Sequence, residues 1–235
     1  KIIISQVSTL DSLAVYSIAQ RLAMTIYMFM NALSRVWTPK LYEHLFEKGT
    51  KTDTQFLLVY MVISFIPALF LIIFSKETLM LYPESYAWGY KILIVLSLYY
   101  AVLYMGKING PQLVFAKKTW LLSGLSLVNV ALNILVSYPL VVLYGAIGAS
   151  VGTLVAALIM GVLYFYLAQQ YAYLALDYKR IFLLYVYMII VACLVIALEY
   201  QMLDFFVNAT IKLVALMVFS AYCYRAWSLE SKSSV

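Results

Sequence analysis

Apolar residues gather along the chain into seven runs separated by short polar stretches. A helix needs roughly 20 apolar residues to cross ~30 Å of hydrocarbon, and each run approaches or exceeds that length. The first, Ser12 to Trp37, is interrupted by Arg21; the second, Phe56 to Phe74, is free of charge and ends at Ser75 and Lys76. A third extends from Trp88 to Gly106 with Lys91 near its start, and a fourth from Thr119 to Tyr138, where Pro139 stops it. The fifth opens in Tyr144-Gly145-Ala146-Ile147-Gly148-Ala149 and continues to Ala168. Arg180 and Glu199 bound the sixth, Ile181 to Leu198. The last covers roughly Phe205 to Tyr224, with Lys212 in its first half and Arg225 closing it. The pattern predicts an all-α polytopic membrane protein of about seven transmembrane helices, the fourth and fifth forming a tight hairpin.

Composition supports that class. Of 235 residues, 66% are hydrophobic and 11% charged, against about 45–50% and ~25% in soluble domains. A mean hydropathy of +0.94 is incompatible with a water-soluble surface, which excludes a soluble enzyme, a disordered segment and a disulfide scaffold. The net charge of +6 does not point to nucleic acid, because the positive residues are scattered between apolar runs. Cys193 and Cys223 both fall inside such runs and read as small buried hydrophobes. Lys1 is not an initiator and nothing at the start resembles a signal peptide, so the chain is expected to be the downstream part of something longer.

Cytoplasmic loops carry the excess of Lys and Arg. One set of loops holds Arg35, Lys40, Lys48, Lys51, Lys107, Lys117, Lys118, Lys179, Arg180, Arg225 and Lys232; the alternate set holds Lys1, Lys76, Lys91 and Lys212. The first end is therefore expected outside and the last end in the cytoplasm, which requires an odd number of spans. Trp37, Trp88, Trp120 and Trp227 fall at span ends, where amphipathic rings favour the headgroup level.

Within the spans, Arg21 is the most informative residue. A guanidinium at bilayer depth costs between ~2.5 and ~17 kcal/mol, so it must face a bundle interior or a wet cavity, or else snorkel to the interface. Helical spacing puts Ser17, Thr25 and Met28 on its face, with Arg35 a few turns below, which reads as a cationic wall for an anion. The fourth span carries Ser126, Asn129, Asn133 and Ser137 at helical spacing. Asparagine amides either join helices or line a hydrated cavity. Gly148 and Gly152, with Ala149, Thr153, Ala156 and Ala157, let another helix approach closely.

Other chemistries lack their residues. His44 stands without a second ligand at metal spacing and is expected in a cytoplasmic loop, near Glu43 and Glu47. No phosphate loop, Ser–His–Asp set or mid-span acid is present; Glu199 and Asp204 bracket an outer loop. The chain reads as no enzyme, with no cofactor.

Two stretches carry a family resemblance. One is Leu13-Ala14-Val15-Tyr16-Ser17-Ile18-Ala19-Gln20-Arg21-Leu22, followed by Trp37-Thr38-Pro39; the other is Asn129, Asn133, Pro139 and Tyr144-Gly145-Ala146-Ile147-Gly148-Ala149-Ser150-Val151-Gly152-Thr153. Together they resemble the C-terminal half of a bacterial polysaccharide flippase of the MOP exporter superfamily, of the O-antigen or teichoic-acid type. Ala14 and Ser150 depart from the family's usual glycine and alanine. The resemblance implies a transporter of two lobes, with residues 1–170 giving most of the second lobe in about five helices. Residues 171–235 would add two further helices and a short cytoplasmic tail.

The same resemblance implies translocation of a lipid-linked oligosaccharide, a polyprenyl-pyrophosphate glycan, across the bacterial cytoplasmic membrane for cell-surface polysaccharide such as lipopolysaccharide. Arg21, Ser17, Thr25 and Arg35 would bind the cargo, with Asn129 and Asn133 as further cavity lining, and Tyr16 and Tyr27 would stack on sugars. Membrane lipids and the missing N-terminal half would be the partners, and membrane potential or an ion gradient the coupling. A multidrug exporter of the same superfamily should instead bury an acid in its spans. A seven-helix receptor shares the topology but should show Asp/Glu-Arg-Tyr after the third span and Asn-Pro-x-x-Tyr in the seventh.

Overall fold

A computed structural model describes residues 10–46, 55–174, 176, 178–200 and 205–233. Every regular element among them is helical: α1 (Leu10–Phe46), α2 (Gln55–Ile73), α3 (Ser75–Leu79), a 3-10 turn (Glu84–Gly89), α4 (Tyr90–Phe115), α5 (Thr119–Tyr171), α6 (Tyr178–Tyr200) and α7 (Phe205–Ser233). Hydrocarbon offers no partner for backbone N–H and C=O, so apolar runs of this length satisfy those groups internally as helices. Four helical stretches are long and apolar enough to cross a membrane: Leu10–Phe46, Glu84–Phe115, Thr119–Tyr171 and Lys179–Tyr200. Leu58–Ile73 and Asn208–Tyr222 are shorter apolar stretches within α2 and α7.

The expected hairpin is present inside α5. Gly145 takes φ 59° and ψ −133°, a backbone conformation that glycine adopts without a Cβ penalty. The chain reverses there. A Cβ at Gly152 would stand 2.6 Å from the Ser137 Cα, whereas a straight helix would separate these positions by about 22 Å. Tyr164 likewise lies against Ser126. The small residues Gly148 and Gly152 are buried where the two arms meet.

At the centre of the bundle, α4 packs on α1, α2, α5 and α6. Its residues Ile92, Leu93, Ile94, Leu96, Tyr100, Tyr104 and Ile108 are buried in one core with Ala19, Ala23, Ile26 and Met30 of α1. Ile181, Leu184 and Met188 of α6 belong to the same core. The Tyr185 hydroxyl donates to the Ala101 carbonyl at 3.1 Å, and that of Tyr187 to Ala215 at 2.5 Å, tying α6 to α4 and α7.

Several boundaries and environments differ from the sequence expectation. α1 runs on to Phe46, so Lys40, Glu43 and His44 occupy its last turns, not a loop. Trp37 is fully buried, its ring 6.4 Å from that of Tyr104, and is a core residue, not an interfacial anchor. Trp88 and Trp120 are exposed. Cys193 is exposed on α6 and does not pack in the core. The side chains of Cys223 and Trp227, and all of Lys48, Lys51 and Asp204, lie outside the described residues.

Candidate functional site

α4 continues past Gly106, where hydropathy ends the run, to Phe115. That extension carries Lys107 into the bundle. At 1.5 Å per residue it stands about 12 Å from the helix end. Its Nζ donates to Asn31 Oδ1 at 2.5 Å and to the Tyr27 hydroxyl at 3.3 Å, and lies 4.5 Å from the Tyr27 ring centroid. Tyr27 and Asn31 are one turn apart on α1, so they present both groups to one ammonium.

A cavity of about 410 Å³ opens beside this lysine, lined by Met24, Tyr27, Tyr99, Tyr100, Leu103, Gly106, Lys107, Asn129 and Tyr164. Tyr100 lies against Gln20, extending the polar seam two turns along α1. The cavity thus combines four phenol rings, an amide and one cation, and no carboxylate among the described residues lines it.

Electrostatics separates Lys107 from the other lysines drawn into the fold. Lys212, whose side chain is 4% exposed, pairs with Glu77 at 2.6 Å and Glu199 at 3.0 Å. Lys76 pairs with Glu199 at 2.7 Å, and the Asn208 amide adds a hydrogen bond to the same carboxylate at 3.2 Å. That cluster is neutral in sum and joins α3, α6 and α7. The Glu199 carboxylate beside Lys76 holds the Lys76 ammonium above the ordinary lysine range.

Lys107 is different. Among the described residues its close partners are a neutral amide and a neutral phenol. An ammonium held this way is partly desolvated and not neutralised, so an anion gains by approaching it.

The residues expected to form the site from sequence are distributed more widely. Arg21, Thr25 and Arg35 are exposed on one face of α1, with Ser17 half-buried beside them. Thr25 turns its hydroxyl back to the Leu22 carbonyl at 2.7 Å. None of the four lines the cavity, although Met24, one turn from Arg21, does. Asn129 is in the cavity wall, while Asn133 Oδ1 accepts from the Ser137 hydroxyl at 3.4 Å. Of the two tyrosines expected to stack on sugars, Tyr27 lines the cavity and Tyr16 is buried outside it, while sequence reasoning missed Lys107, Asn31, Tyr99, Tyr100 and Tyr164. The signal was the spacing of Tyr16, Gln20, Tyr27 and Asn31 along one helical face.

No group of His, Cys, Asp and Glu that could hold a metal ion occurs among the described residues. The chain matches no family model, no curated protein and no solved structure.

Proposed function

We propose that the protein is the second lobe of a flippase that moves a polyprenyl-pyrophosphate oligosaccharide across the bacterial cytoplasmic membrane. In this reading the chain crosses seven times, with its first end outside and its last end in the cytoplasm. The two arms of α5 are separate spans, and an upstream lobe completes the transport path. The observation that carries it is Lys107, an ammonium without a carboxylate partner among the described residues, in a cavity walled by tyrosines.

The chemistry suits such a cargo. Lys107 supplies the charge for a phosphate or another anionic group, held in place by Asn31. Tyr27, Tyr99, Tyr100 and Tyr164 offer flat apolar faces for sugar rings and hydroxyls for their polar edges. Asn129 adds a donor and an acceptor. Arg21 and Arg35, on the neighbouring face of α1, extend the positive lining toward the upstream lobe. A cation exporter would need an acid where this cavity has Lys107. Moving one charge across 100 mV is worth about 2.3 kcal/mol, which suffices to bias two states of similar energy.

The test is translocation of a fluorescent polyprenyl-pyrophosphate oligosaccharide in proteoliposomes containing both lobes, followed by the access of an added glycosidase to the glycan. Lys107→Ala should slow translocation at least tenfold, with Lys107→Arg in between. Translocation by Lys107→Ala at the unmodified rate, or transport of organic cations in place of the glycan, would overturn the proposal.

A further inference from the structure

We propose that residues 106–112 of α4 form a hinge that swings Lys107 between the two sides of the membrane. The stretch reads Gly106-Lys107-Ile108-Asn109-Gly110-Pro111-Gln112, and three features that occur singly elsewhere in the bundle, at Gly124, at Pro39, Pro67 and Pro139, and at Gln20, coincide in it.

The first concerns the glycines. A Cβ added at Gly106 or Gly110 would meet nothing within 4 Å. At Gly152 and Gly89 it would meet Ser137 Cα at 2.6 Å and Val15 Cγ1 at 2.5 Å. Gly152 and Gly89 are therefore explained by close packing, and Gly106 and Gly110 are not. What two glycines one turn apart do give a helix is backbone freedom.

The second is Pro111. It has no N–H, so the Lys107 carbonyl four residues earlier lacks its helical donor. Helices bend where that ladder is interrupted. The weakened turn is the one that bears the cation.

The third is a pair of buried amides. Asn109 and Gln112 are both 0% exposed, yet their side-chain nitrogens and oxygens have no hydrogen-bond partner among the described residues. Burial without partners is unfavourable. The helix as it stands is therefore not the best arrangement for these two groups, and a different bend that gives them partners is the compensating state.

Both flanks of the stretch are anchored, so a bend there has a defined consequence. Upstream, α4 from Ile92 to Tyr104 is locked in the core. Downstream, the Phe115 ring lies 6.2 Å from that of Tyr42 and 4.9 Å from that of Phe46. The far end of α4 thus moves with the end of α1. Bending between these anchors rotates Lys107 relative to Asn31 and Tyr27 and changes the side from which the cavity is reached. The inference rests on Lys107 being the ligand for the cargo's anionic group, but its test needs no cargo.

The experiment labels Lys107 with a membrane-impermeant amine reagent in right-side-out and inside-out vesicles, quantified by peptide mass spectrometry. The unmodified protein should be labelled from both faces. Each Gly→Ala change favours the straight helix about fivefold, which is ~1 kcal/mol. The double variant Gly106→Ala/Gly110→Ala should therefore lose labelling from one face by at least tenfold and keep it from the other. Thermal stability in detergent should be unchanged or higher. Pro111→Ala restores the missing N–H and should act in the same direction.

Equal labelling of all variants from both faces would make α4 a rigid strut and overturn the hinge. Collapse of the double variant would show that the glycines serve packing and would overturn it too. Two-sided labelling that the alanines abolish, in a protein that moves no glycan, would keep the hinge and discard the flippase.

Discussion

Asn31 Oδ1 stands 2.5 Å from Lys107 Nζ, an amide of α1 gripping an ammonium of α4. The contact orients the charge without cancelling it, because the amide is neutral. Asn31→Ala should therefore leave the cation in place but let it wander. If the proposed glycan cargo is right, the expected result is a rise in its KM of several fold with little change in the maximal rate, whereas Lys107→Ala lowers both affinity and rate. Equal losses in the two variants would make Asn31 part of the binding surface itself.

The ion cluster gives a stability prediction. Glu199, with its side chain 2% exposed, faces Lys76 and Lys212 together. Breaking a buried pair by removing one partner costs about 3–5 kcal/mol, because a buried charge is left behind. Glu199→Gln should lower the detergent melting temperature markedly. Glu199→Leu combined with Lys212→Met should recover most of the loss, since no unpaired charge remains in the interior. A single variant as stable as the parent would show that water reaches the cluster.

Lys76 adds a pH dependence whose sign follows from its raised pKa. A lysine bound more tightly to its proton when folded stabilises the fold fully below its ordinary value of 10.5. That contribution disappears as pH rises through the higher folded value. The melting-temperature difference between the parent and Lys76→Met should hold from neutral pH to about 10 and vanish above that window. Its size is small, because the Lys76 side chain is 38% exposed and solvent screens the pair. A difference that grows with pH would contradict the pairing.

The sequence revealed the helices and the hairpin because both rest on local signals. Long apolar runs are helical in hydrocarbon, and Gly145 with Gly148 and Gly152 marks a reversal between closely packed arms. The cavity was harder to see, since the third apolar run closes at Gly106 and hydropathy does not carry it past Lys107. Lys107 follows Gly106 directly and looks like a flanking loop cation until the helix is known to continue to Phe115. Trp37 fails for a related reason. Ring chemistry suggests an interface, but depth and facing are set by the nine helical residues that follow it and by Tyr104 opposite. The pairing of Glu199 with Lys76 and Lys212 depends on how α3, α6 and α7 assemble, which no local pattern encodes.

The hairpin can be tested by steric contrast. Leucine at Gly152 would drive its side chain into the Ser137 backbone, while at Gly124 it would meet open space. Overpacking of this kind costs about 1–3 kcal/mol. Gly152→Leu should reduce folded yield and melting temperature, and Gly124→Leu should leave both near the parent. The reverse order would mean that the arms of α5 do not meet as described.

Arg21 completes the positive lining or it does not, and one substitution series decides. The residue is exposed on α1 and makes no hydrogen bond or ion pair with the described residues. If its face meets a transport path shared with the other lobe, the guanidinium is a fork for phosphate, and lysine keeps the charge but loses the second donor. Arg21→Ala should then abolish translocation with normal abundance in the membrane, and Arg21→Lys should restore only part of it. If the face meets lipid, the guanidinium extends to the headgroups and alanine costs nothing in transport. Because Arg21 and Lys107 would contact the same anionic cargo, the double alanine variant should show losses that do not add in free energy. Full translocation by Arg21→Ala would reduce Arg21 to a snorkelling surface residue and leave Lys107 as the cation of the proposed path.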